Sequence, residues 1–291
     1  MVETYDASQC RLYFVEETTY GVTPANPAMK RIQSENFEPS IDPRNIKIRG
    51  IGSRELKKIY KGLRAPSLKI THIIPPGADA IHFIKHVQTL TSLSIQVLYF
   101  KGTWESPTDV ISLLYKGARI DKLTVECKIE DVLKAAVDVL AQDVTVGTGK
   151  ITGATYTDYE GAIPSHDAGA EIKRTAADGT SPVALTRAMD YKWTYENNLR
   201  PVGVIRTTNG HLLKYLPARH RNFYGEINFE FEEITEFSDV IDDNYFGLAM
   251  KLGDSLAQAT YCKWDDVAIP TRIEDLVALK AKWTGHRIYI S

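Results

Sequence analysis

His82 and His86 stand four residues apart in a stretch with helical character. That spacing puts two imidazoles on one helix face, as in zinc enzymes. The residues between them are Phe83, Ile84 and Lys85, so the glutamate that acts as base in that pattern is missing, and no third ligand can be nominated. Two exposed or partly packed histidines is the plainer reading. Asp242-Asp243 and Asp265-Asp266 are paired acids. Catalytic pairs need an apolar pocket to split their pKa values; the sequence offers none, and both read as solvated turns. Gly147-Thr148-Gly149 follows a strand pattern but lacks the third glycine and the following helix of a dinucleotide loop. There is no GxSxG elbow and no P-loop. The expectation is a chain with no catalytic, cofactor-binding or metal site, and therefore not an enzyme.

The elements around these residues are mostly strands. Leu68, Ile70, His72 and Ile74 alternate with Lys69, Thr71 and Ile73; Leu123, Val125, Cys127 and Ile129 alternate with Thr124, Glu126 and Lys128. Segments 93–99, 135–139 and 227–232 behave alike. This period suits antiparallel sheets with one face on a core. Trp193, Tyr195, Phe223, Tyr224, Phe229 and Phe231 then read as sheet core and subunit contacts. Two stretches look helical. One runs from about Asp79, a possible cap, to Thr89; the other runs from about Ser238 to Leu252, with Gly253 to stop it.

The 291 residues, 25% of them charged, suffice for one large β domain or two modules. No apolar run is long enough to span a bilayer, so no membrane insertion is expected. The N-terminus lacks the apolar stretch of a signal peptide. Cys10, Cys127 and Cys262 are odd in number and widely spaced, which argues for free thiols and folding in a cytoplasm.

Overlaying the two halves reveals a common order. Arg31 to Ile74 and Arg187 to Phe231 each read as strand, turn, strand, long loop and alternating strand. Phe37 falls opposite Trp193, Ile46 and Ile48 opposite Val202 and Val204, and Ile70, His72 and Ile74 opposite Ile227, Phe229 and Phe231. Each half then carries a helix and a related segment, Ile129 to Leu133 in the first and Ile273 to Val277 in the second. The expected organisation is an N-terminal arm (1–30), a first module (31–146), a glycine-rich arm or linker (147–186) and a second module (187–291).

Local charge says more than the total of −2. From Arg44 to Lys69 nine bases face one acid, a net +8; from Glu226 to Asp275 thirteen acids face three bases, a net −10. The basic loop could touch phosphates. Alternatively the two regions could meet head to tail between copies, since heterologous contacts build rings and filaments. The loop also holds Ile51, Leu56, Ile59, Tyr60 and Leu63, which favours burial by a partner. The candidate contact residues are Arg49, Arg54, Lys57, Lys58, Tyr60, Lys61 and Arg64 on the basic side. On the acidic side they are Glu232, Glu233, Asp242 and Asp243.

The stretch Glu17-Thr18-Thr19-Tyr20-Gly21-Val22-Thr23-Pro24 resembles the opening of phage tail tube proteins, an E-x-x-x-G-x-x-P pattern leading into a first strand. The loop Gly52 to Glu55 and the two-strand run Asp121 to Thr145 resemble that family too. The resemblance is one of pattern and order from about residue 10 to 291, and points to the major tail tube protein of long-tailed (siphovirus-like) phages or archaeal tailed viruses. It implies mainly-β sandwich or barrel modules, each flanked by a short helix. It also implies a virion structural protein, assembled in the host cytoplasm into stacked rings around a DNA conduit. Two modules per chain would give homotrimeric rings with pseudo-sixfold symmetry, a homohexamer being the alternative. A tape measure protein and viral DNA would occupy the lumen transiently. No cofactor is implied. The competing readings are a tail terminator, an injection-system tube protein, a carbohydrate-binding β-sandwich or an unrecognised hydrolase.

Overall fold

A computed structural model describes residues 4–52, 54–77, 82–205, 208–270 and 277–290. The first half runs β1 (Cys10–Glu16), β2 (Ala28–Ile32), β3 (Ser34–Asp42), a hairpin of β4 (Ile46–Ile48) and β5 (Lys58–Tyr60), β6 (Ala65–Ile73), α1 (His82–Thr89), β7 (Leu93–Gly102), β8 (Pro107–Lys128), β9 (Lys134–Leu140) and β10 (Asp143–Gly147). The rest runs β11 (Thr155–Thr157), β12 (Ile172–Thr175), β13 (Val183–Ala184), β14 (Ala188–Glu196), β15 (Asn222–Glu230), α2 (Thr235–Ile241), β16 (Phe246–Leu252), β17 (Ser255–Ala268) and β18 (Ala278–Ile290). Strand holds 54% of the structure and helix 7%, so the mainly-β expectation is borne out.

The two halves repeat one pairing scheme. In the first, β2 pairs β1, β1 pairs β7, β7 pairs β8, β8 pairs β9, β9 pairs β6 and β6 pairs β3, all antiparallel. In the second, the same path runs β13, β12, β16, β17, β18, β15 and β14. Even the irregularities recur. The slip at Ser34/Asn36 in β3 has its counterpart at Ala188/Asp190 in β14, and that at Ile120/Lys122 in β8 at Trp264/Asp266 in β17. Gly117 and Tyr261 occupy the same point of their strands, both left-handed, with φ of 61° and 51°. The second is uncommon for a bulky residue. Phe37 pairs with Ile70 as Tyr191 pairs with Ile227. Phe37 therefore stands level with Tyr191, two residues from the overlay's Trp193 and on the same face.

Residues read from the sequence as an arm and a linker supply strands. β1 and β2 lie within 1–30 or at its edge, and β11, β12 and β13 lie within 147–186. Ile163 is buried there, and its carbonyl accepts from Leu133 N at 2.8 Å. The expected helix over 238–252 is corrected. α2 stops at Ile241, because Asp243 turns left-handed (φ 56°) and Asn244 N closes onto the Asp239 carbonyl. Phe246–Leu252 is instead an interior strand, and Gly253 (φ 68°) turns it into β17. Asp79 and residues 273–276 of the repeated segment lie outside the described residues.

One core runs through both halves. β8 is long enough to serve two sheets: up to Ala118 it pairs β7, from Arg119 it pairs β9, and from Lys122 it also pairs β14. It bends at Gly117, where the buried Glu17 carboxylate accepts from Gly117 N (2.9 Å), Ser94 Oγ (2.8 Å) and Gly21 N (2.8 Å). The Glu17 and Gly21 of the opening pattern are thus a structural clasp. α1 buries Phe83, Ile84 and Val87, a contribution of roughly 2 kcal/mol apiece. Leu90, left-handed, caps it by donating to the His86 carbonyl. Trp193 and Trp283 fill the second half, and Gly225 lies between them in register. A Cβ there would meet the Lys192 carbonyl at 2.5 Å and the Trp283 ring at 2.7 Å.

Candidate assembly interfaces

The halves are joined by β8 and β14, which pair antiparallel over Lys122–Lys128 and Asp190–Glu196. The result is a continuous eight-stranded path, β3-β6-β9-β8-β14-β15-β18-β17. Its two ends differ chemically. The β3–β6 and β14–β15 loops leave one end, at Asp42/Ala65 and Glu196/Asn222. The β8–β9 turn and the exit of β15 lie at the other, since Lys134 pairs with Glu126 and Phe229 with Ala188. Strands of this length separate the ends by roughly 30 Å.

The basic hairpin stands at the first end. Arg49, Arg54, Lys57, Lys58, Tyr60 and Lys61 are all exposed, and Ile46 and Ile59 are 56% and 55% exposed. Among the described residues β4 and β5 pair only with each other. A two-stranded ribbon of this kind is marginal in water, and exposed isoleucines on both strands call for a covering surface. Arg64 differs from the rest: it is half-buried and pairs with Asp143 at 3.1 Å. Its backbone N–H donates to the His211 carbonyl, so the hairpin base rests on the other long loop.

The four acids do not come together. Glu232 and Glu233 follow β15 at the far end, both exposed, with Glu233 3.0 Å from Arg187. Glu130 and Asp131 of the β8–β9 turn share that end. Asp242 and Asp243 lie beyond α2, back toward the hairpin's end: Asp243 pairs with Lys263, which is in register with Thr284 and, through it, with Tyr224. α2 is held by a buried Arg187–Glu236 pair and by Asp239, which takes Arg174 at 2.7 Å and Trp264 Nε1 at 3.1 Å.

The sheet face turned away from the core was not legible in the sequence. Cross-strand partners share a face, and two rows of alternating charge cross it. One runs Glu38, Lys69, Asp138, Lys122, Glu196. The other runs Lys134, Glu126, Lys192, Glu226, Lys282, Asp266. Opposite charges so placed contribute about 0.2–1 kcal/mol per pair. Lys122 and Glu196 meet at 2.8 Å, and the Lys122 ammonium holds the Glu196 carboxyl below its usual range. Between the rows lie short polar or small side chains, Thr71, Ala136, Thr124 and Thr194 among them. The face is hollowed at the seam, where Thr71, Lys122, Thr124, Lys134 and Lys192 line one trough. Its cations in these rows are all lysines, balanced by acids, so it offers phosphates no net attraction.

Of the histidine pair, His86 is buried with Nε2 3.3 Å from Glu16; the His82 side chain lies outside the described residues. Among the described residues no helix is long and apolar enough to cross a membrane.

The sequence pattern of the phage tail tube protein family matches residues 75–276, more than half of the chain and both sides of the β8–β14 seam. No curated protein matches it. A chain of the "Cryo-EM structure of the anti-feeding prophage (AFP) baseplate, 6-fold symmetrised" is similar at 11% identity and a TM-score of 0.36, over 50% of this chain and 97% of that one.

Proposed function

The chain belongs to the phage tail tube protein family, structural proteins of the virion tail, and on that premise we propose that it self-assembles into stacked rings forming the tail tube of a long-tailed virus. Each chain contributes two modules, descended from one by duplication. Three chains then make a ring with pseudo-sixfold symmetry; the recurrence between the halves of the seven-strand pairing path and of the slips in β3/β14 and β8/β17 supports this over six chains. The balanced, hollowed sheet face lines the channel through which DNA and a tape measure protein pass.

The observation that carries stacking is the placement of the exposed basic hairpin and the Glu232–Glu233 pair at opposite ends of one sheet. The hairpin of one ring reaches the acidic end of the next, which covers Ile46 and Ile59 and pairs its lysines and arginines. Asp242 and Asp243 lie at the hairpin's own end and serve lateral rather than stacking contacts. Charge reversal tests this: Arg54→Glu with Lys58→Glu leaves single rings but shortens or abolishes tubes in electron micrographs. Unchanged tube length and salt sensitivity would count against it.

A further inference from the structure

Among the described residues two strand edges on the eight-stranded path have no strand partner. One is the outer edge of β3, which pairs only β6; the other is the edge of β17 beyond Cys262, where β16 ends. These are the counterparts of the two edges that meet at the seam. β8 corresponds to β17, and β14 to β3, by the pairings and slips described above. We infer that β17 of one copy pairs antiparallel with β3 of the next, in the register that β8 and β14 use within one chain. The inference rests on the ring reading and names its lateral joint.

In that register Val267 stands opposite Ile41, Ala268 opposite Ser40 and Ile269 opposite Pro39. Burial supports it. At the seam Leu123, Val125, Trp193 and Tyr195 are all buried. Their counterparts Val267, Ile269 and Pro39 are half-buried, and Ile41 is 45% exposed. Apolar residues stand uncovered at both free edges where the same positions are covered inside the chain. Pro39 and Pro270 mark both edges; proline is confined to such edges and blocks indiscriminate pairing, at the loss of a ladder bond. Asp42 comes opposite Asp266, each keeping its own cation, Arg44 at 3.6 Å and Lys282 at 3.4 Å.

The test is a disulfide across the joint. At the seam the equivalent pair, Thr124 and Thr194, has hydroxyls 3.0 Å apart, close enough for cysteines in their place to bond. The full-length Ser40→Cys/Ala268→Cys variant, oxidised after assembly, should give covalent dimers and trimers on a denaturing gel. Neither single variant should, and Glu38→Cys/Ala268→Cys, two residues out of register, should give far less. Rings visible by electron microscopy with no cross-link, or with stronger cross-linking of the shifted pair, would overturn the joint and leave the rings standing. A chain that forms no rings overturns the assembly reading and the joint with it.

Discussion

Thr124 and Thr194 face each other across the seam between the halves, with their hydroxyls 3.0 Å apart and opposite charges on either side. The seam is therefore a sheet ladder, and the two halves share one continuous sheet. Thr124→Cys with Thr194→Cys should close a disulfide within one chain on mild oxidation. Loss of free thiol without a mass increase on a denaturing gel would show it. A pair that stays reduced would place the strands out of register.

His72 is buried, its Nδ1 donating to the Ile73 carbonyl at 3.1 Å, and its ring lies edge-on to Phe83. Burial lowers its pKa to about 4, whereas the unfolded chain takes up the proton near 6.5. Its contribution is therefore complete above about pH 6.5 and falls away toward pH 4, by about 3 kcal/mol in all. The residue at the same place in the second half is Phe229. His72→Phe should fold and flatten this part of the pH profile in urea titrations; an unchanged slope would contradict the assignment.

Glu17 joins the end of β1 to β7 and to the bend in β8 through three hydrogen bonds. Glu17→Ala leaves buried donors without an acceptor and should lower unfolding stability by about 3 kcal/mol. Denaturant midpoints measure this. A loss below about 0.5 kcal/mol would mean that the motif serves something other than the fold.

Strand content and the repeat were legible because alternation in segments such as 68–74 and 123–129 survives in one dimension. Three features were not. Leu12, Tyr13 and Phe14 are all buried, so β1 shows no alternation and was read as an arm. Phe246 to Met250 are likewise buried on both faces, and their continuous apolar run reads in sequence as the end of a helix. The charge rows depend on which strands are neighbours. Lys192 and Glu226 are far apart in sequence, and only the β14–β15 ladder makes them partners. The basic segment stands out in the sequence because its charge is local. The acids group together in the sequence because composition cannot tell which end of a strand a turn occupies.

Glu226→Lys with Asp266→Lys turns the second charge row from alternating to positive over four strands. Tubes of this variant should retain double-stranded DNA on a gel at low salt and release it as salt rises, while the parent tubes retain none. Equal retention by both would remove this face from the channel.

A ring built from three two-module chains has a shape of its own. Electron cryomicroscopy of tubes grown from the purified protein tests it most directly. The expected end-on views show six lobes of two alternating kinds, three chains per ring, and the rows through Lys122 and Lys192 facing the channel. Rings of six chains, or a protein that stays monomeric across concentration and salt, would contradict it.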